Sequence, residues 1–154
     1  MRIVGLDLGK KRVGMAMASS AVGVVVPLDP FVVATDLKNE LEKLCGRILE
    51  YGPDLLVMGD PISLNGSRGI ASTEARQIAE KLSGKLGLGV VLVDERLTSR
   101  EAASVLAGIG VKGRELRRKV DSSSAVVILT HYLESGNSVG ELIGSFDDED
   151  PGRA

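Results

Sequence analysis

Three strand-length apolar segments crowd into residues 2–34, and the turns between them are short. Residues 2–8 read RIVGLDL and residues 13–19 read VGMAMAS. A third segment covers 22–26 and 31–34, interrupted by Pro27 and Pro30. Parallel neighbours need a connection of about a dozen residues or more, so turns of this length impose an antiparallel meander. The pattern then changes to alternating helix and strand. Asp36 is placed to cap a helix through Glu50, in which Leu37, Leu41, Leu44 and Ile48 recur at helical spacing. Tyr51-Gly-Pro-Asp54 ends it, and 55–58 is a short buried strand. A loop, DPISLNGSRG, leads to a helix over 71–82, and 90–93 is the fifth strand. Thr98 or Ser99 can cap a helix over 100–107, and Asp121 stands at the start of another over 122–133. A meander followed by right-handed crossovers predicts an α/β fold. Its mixed five-stranded sheet has the first three strands antiparallel and helices on both faces.

A chain of 154 residues suits one core, and with 3% aromatics that core is aliphatic. The folded domain is expected over 1–136, with an acidic, flexible tail over 137–154. No apolar stretch reaches the length of a membrane span, and no secretory leader precedes the first strand, so a cytoplasmic protein without membrane contact is expected. The single Cys45 forbids an internal disulfide, and no Cys/His cluster suggests zinc. Net charge is -2, but residues 141–154 hold five acidic residues against Arg153. Without them 18 basic residues face 16 acidic ones. Lys112, Arg114, Arg117, Arg118 and Lys119 form one cluster, which alone is an ordinary solvated face.

Against this background three acidic positions stand out. Asp7 lies inside an apolar strand, where a carboxylate is costly unless compensated. Glu95 follows the fifth strand in VDERLTS, and Asp121 opens the last long helix in KVDSSSAVVILTHYL. Each has a plain structural reading. Asp121 can cap its helix, Glu95 can pair with Arg96 or Arg100, and Asp7 can pair with Lys10 or Arg12. Read together they suggest one site. Gathered carboxylates repel one another and are stable only with cations between them. Oxygen-only ligands suit Mg²⁺ or Mn²⁺, and two such ions serve phosphodiester hydrolysis. Ligands of open α/β sheets bind beyond the carboxyl ends of the strands, which is the expected region for this chemistry. Lys11, Arg12 and Arg96, with the 112–119 cluster, would then hold a nucleic-acid backbone through its phosphates.

GLDLGKKRVGMA, GDPISLNGS, VDERLTSREA and KVDSSSAVVILTHYL resemble, in order and spacing, the YqgF family of RuvC-like, ribonuclease H-like proteins. Four ordered motifs covering about residues 1–135 are far more specific than any one. The resemblance implies a ribonuclease H-like fold with Asp7, Glu95 and Asp121 as the metal-binding catalytic set. It also implies a nuclease acting in 5′-end maturation of pre-16S ribosomal RNA during ribosome biogenesis. Family members have been described as Holliday junction resolvases too, and that reading would require a homodimer with two sites. The RNA preference over branched DNA comes from the resemblance alone. Departures are specific. Ser19-Ser20 stands where the family often has Ser-Asp, and Asp60 where it usually has an apolar residue. Ser124 occupies the offset at which junction resolvases of the wider superfamily carry a fourth carboxylate. Asp60 reads as a loop residue or an additional metal ligand.

Other classes fit less well. GLDLG also resembles the first phosphate loop of actin-like and sugar-kinase ATPases, but 154 residues leave no room for their second domain. His131 reads as a surface or cap residue, and Tyr51, Tyr132, Phe31 and Phe146 are too scattered for a base-stacking platform. A non-catalytic nucleic-acid-binding or regulatory protein on the same fold stays open, although all three carboxylates are present.

Overall fold

The apolar run at the start of the chain forms β1 (Arg2–Leu8), the third strand from one edge of the sheet. In this computed structural model residues 1–61, 69–94, 113–135 and 140–144 are described, with the backbone alone over 113–123. β2 (Arg12–Ser19) and β3 (Val25–Val32) complete the antiparallel meander. β4 (Leu55–Asp60) and β5 (Gly89–Asp94) add on the other side of β1, both parallel to it. A sixth strand, β6 (Glu141–Ile143), pairs antiparallel with β5, so the order is β3-β2-β1-β4-β5-β6. The mixed α/β sheet is therefore as expected, with six strands among the described residues in place of five. Three residues, of which only Ile143 is buried, are too short to show an alternating pattern within the acidic segment.

Helices cover both faces. α1 (Leu41–Leu49) and α2 (Ile70–Leu86) pack on one core with Val4, Leu6, Leu56, Met58, Val90 and Leu92. α3 (Gly113–Glu134) packs on the other through Ala125, Ile128, Leu129 and Tyr132, against Ile3, Leu55, Val57, Val91 and Val93. The two sets alternate along each strand, the signature of a sheet buried on both faces. None of the described helices is long and apolar enough to cross a membrane. Cys45 is buried in the first core, and that burial pushes its thiol pKa up.

Two elements differ from expectation for local reasons. Pro27 and Pro30 do not interrupt the third strand, because β3 is an edge strand whose outward amides need no partner. The helix expected from Asp36 is divided. Asp36 does cap, accepting from the Lys38 N–H at 3.4 Å, but the element it starts is a short 3-10 turn, Leu37–Asn39. Glu40 then separates the turn from α1. Its side chain is only 6% exposed and folds back to accept from the Thr35 N–H (2.6 Å), the Ala34 N–H (3.1 Å) and the Thr35 hydroxyl (3.0 Å). The helix expected over 100–107 lies outside the described residues.

Those backbone bonds, Thr35 first and Ala34 second, hold the Glu40 carboxyl below its ordinary pKa of 4.5. A lowered folded pKa stabilises the protein above the unfolded value, and the gain is lost as pH falls through the folded value. Glu40→Gln should therefore lower Tm at pH 7. The gap to the parent should close as thermal melts are taken below pH 4.5; a gap independent of pH would contradict the charged role of Glu40.

Candidate functional site

β1, β4 and β5 are parallel neighbours, so their carboxyl ends share one edge of the sheet. Asp7 is the penultimate residue of β1, half-buried and in register with Gly14 of β2. Alternation sends Val4 and Leu6 to the α1/α2 side and Ile3 to the α3 side, so Asp7 projects toward the α3 side. The cost of a charge in an apolar strand is reduced by position: Asp7 stands where the strand leaves the core. Lys11 and Arg12, both exposed, follow at the same edge, in and just after the β1–β2 turn. The Lys11 carbonyl accepts from the Val33 N–H at 2.8 Å, fixing that turn against the chain leaving β3.

Position 121 reaches this side of the sheet on α3. The helix begins at Gly113, so Asp121 lies in its interior and does not hold the cap position expected of it. GRELRRKV, over 113–120, shows little apolar periodicity, which is why the earlier start was not legible. One turn after position 121, α3 crosses β1 closely. A Cβ added to Gly5 would stand 3.2 Å from the Ala125 carbonyl oxygen and 3.2 Å from Leu129 Cβ. Asp7 is two residues beyond Gly5 on the same strand face. Ser124, three residues after position 121 on α3, is buried.

Of the three carboxylates, only Asp7 has a described side chain. Glu95 lies outside the described residues, as do Arg96 and Lys112, while Arg114, Arg117, Arg118 and Lys119 are placed only as backbone on the first turns of α3. Among the described residues no three His, Cys, Asp or Glu side chains form a metal-sized group. The donor chemistry of Asp7, Glu95 and Asp121 is nonetheless all carboxylate oxygen, which fits a hard dication such as Mg²⁺ or Mn²⁺.

Asp60 is not a loop residue. It is the last residue of β4, 2% exposed, and accepts from Ser72 Oγ on α2 at 2.5 Å. Its alternation partners Leu56 and Met58 lie in the α1/α2 core, so Asp60 faces away from the Asp7 side. Pairing with Asp94 keeps it in the sheet, and its charge also acts on Arg76 of α2. Arg76 holds Glu141 of β6 through two bonds, 3.0 and 2.6 Å, and that pairing is the first cause of its raised pKa. Neither Ser72 nor Glu40 carried a signal in the sequence, since both act through contacts rather than spacing.

The chain matches a family model described as "RuvX: Holliday junction resolvase" over residues 1–135. A Lactococcus lactis subsp. cremoris protein named "Putative pre-16S rRNA nuclease" is 35% identical over 136 residues, covering 87% of this chain and 94% of that one. An Anaeromyxobacter protein of the same name is 37% identical over 134 residues, 87% and 97% of the two chains. Among solved structures, RuvC of Thermus thermophilus in complex with Holliday junction substrate superposes with TM-score 0.57 at 15% identity, covering 92% of this chain and 99% of that one. The fowlpox virus Holliday junction resolvase gives 0.55 at 19%, covering 88% and 99%. At those identities the structural likeness speaks for the fold.

Ser72→Ala leaves the buried Asp60 carboxylate without its hydroxyl donor and should cost about 1–3 kcal/mol, read as a lower urea midpoint. Asp60→Asn keeps an acceptor for Ser72 and should cost less. Equal losses for the two would contradict the Ser72–Asp60 bond as the compensation for that carboxylate.

Proposed function

The chain belongs to the RuvX (YqgF) family, and from that premise we propose that it is a metal-dependent nuclease hydrolysing phosphodiester bonds. Its proposed task is 5′-end maturation of pre-16S ribosomal RNA. The observation that carries the reading is Asp7: a half-buried carboxylate at the carboxyl end of a central strand, two residues from the close crossing with the helix that bears Asp121.

In this reading Asp7, Glu95 and Asp121 hold Mg²⁺ or Mn²⁺, which supplies Lewis-acid activation of the phosphate and of the attacking water. The protein's own residues bind and orient. Lys11 and Arg12, which flank the strand end, would neutralise the substrate backbone together with Arg96. The basic cluster Lys112, Arg114, Arg117, Arg118 and Lys119 would extend that contact surface. Phosphate contacts of this kind fix register without reading sequence, so binding should weaken steeply with salt. A buried serine at 124 in place of a fourth carboxylate leaves three protein carboxylates, with water and substrate phosphate completing the ligand shells.

The test offers precursor 16S RNA, a linear duplex and a four-way DNA junction side by side, with Mg²⁺ and with Mn²⁺. Precursor RNA should be cut preferentially, and Asp7→Asn should lower cleavage about 10³-fold or more while leaving the thermal melt of a folded protein. Preferential cutting of the junction, by a dimer, would transfer the assignment to resolvase chemistry. Undiminished cleavage by Asp7→Asn would sink the catalytic role of that residue.

A further inference from the structure

A cavity of about 530 Å³ opens at the same edge of the sheet, but on the opposite face from Asp7. Leu8, the residue after Asp7, forms part of its floor with Pro61, Ala75 and Ile78. The 3-10 turn stands on one side of it, and the first turns of α2 on the other. The Asp60–Ser72 bond builds this wall. Gly59 and Pro61, on either side of Asp60, and Ala71, beside Ser72, all line the space. The chain therefore places a buried carboxylate at the joint that shapes the cavity.

The rim decides what class of ligand fits. Among the described residues Lys10 and Lys38 stand there with Asp36 and Glu74, two charges of each sign. Asp36 is partly engaged as the cap of the 3-10 turn. A rim that sets acids beside its lysines is a poorer receptor for a polyphosphate, which carries several negative charges and no donors, than a wholly basic one. It suits a ligand with one negative charge, hydrogen-bond donors and a flat apolar body. The apolar floor and the volume both lie within the usual range for small-molecule sites, about 300–1,000 Å³. A nucleotide unit within a strand has these properties: a single phosphodiester charge for the lysines, exocyclic amines for the acids, and a base to bury. Leu8 adjoins Asp7 at the end of β1, so the cavity and the Asp7 side of the sheet meet at one strand end, where a strand of nucleic acid can pass from one to the other.

We propose that this cavity is a nucleotide subsite that takes one base of the substrate strand beside the scissile phosphate. The inference rests on the nuclease reading for the source of the strand, but not for the binding of a nucleotide. Lys10 and Lys38 hold the phosphodiester, Leu8 and Ile78 contact the base, and Ala71 marks the open side, where it is exposed.

The test uses the full chain in two binding measurements. Amide NMR spectra are titrated with adenosine 5′-monophosphate, ribose 5-phosphate and inorganic phosphate. Fluorescence anisotropy then compares a labelled single-stranded oligonucleotide with the same strand carrying abasic positions. The monophosphate should shift Leu8, Lys10 and Lys38 saturably, with ribose 5-phosphate roughly five-fold weaker or more. The abasic strands should also bind roughly five-fold more weakly than the intact one. Ala71→Trp, which fills the open side from an exposed position, and Lys38→Glu should remove both preferences without lowering Tm. Equal shifts from inorganic phosphate and the mononucleotide would overturn the site. Mononucleotide binding with no abasic effect would overturn its assignment to the strand and leave a free nucleotide as occupant. If the chain cleaves nucleic acid but neither preference is seen, the subsite fails and the nuclease reading stands. If the preferences are seen without cleavage in any divalent metal, the subsite stands and the nuclease reading fails.

Discussion

Helix α3 lies against the backbone of β1 because residue 5 has no side chain. A Cβ there would meet the Ala125 carbonyl oxygen and Leu129 Cβ at 3.2 Å, tighter than ordinary van der Waals contact. Interiors packed to this density respond to the addition of single methyl groups, so the crossing fixes the height of α3 over the sheet. Asp7 is two residues from that contact along β1, and Asp121 is one turn from it along α3. Gly5 thus relates the two positions on which the proposed chemistry most depends, without entering it.

The sheet separates two kinds of work at one edge. On the α3 side are Asp7 and the helix that starts among basic residues. On the α1/α2 side, Asp60 and Ser72 join β4 to α2, and Arg76 carries that connection to Glu141 on β6. Gly140, at φ +95°, brings the chain into β6 so closely that a Cβ would fall 2.8 Å from the Leu92 carbonyl oxygen. The short sixth strand is consequently part of the support for α2, and α2 in turn walls the cavity.

Much of this was legible from residue order. The short turns after β1 and β2 required an antiparallel meander, and the apolar runs at 55–58 and 90–93 required buried strands. Asp7 announced itself because no cap or turn role fits the interior of such a run. What escaped the sequence depends on contacts with no period. Glu40 reads as one more polar helix residue until its three bonds to Thr35 and Ala34 are seen. Asp60 reads as part of a loop because its partner is twelve residues away on another element. Asp121 was assigned a cap because the helix before it is written largely in charged residues, whose sequence shows little apolar period to mark its course. Prolines misled in the same way: Pro27 and Pro30 look like breaks, yet an edge strand accommodates them.

The central proposal is that Asp7 holds a metal in company with Glu95 and Asp121. Anomalous diffraction from crystals of the protein soaked in Mn²⁺ tests it most directly. The account predicts a Mn²⁺ peak about 2.0–2.2 Å from a carboxylate oxygen of Asp7, with oxygens of Glu95 and Asp121 around the same site. Asp7 closed in an ion pair with Lys10 or Arg12, with no manganese between it and the other two carboxylates, would contradict it.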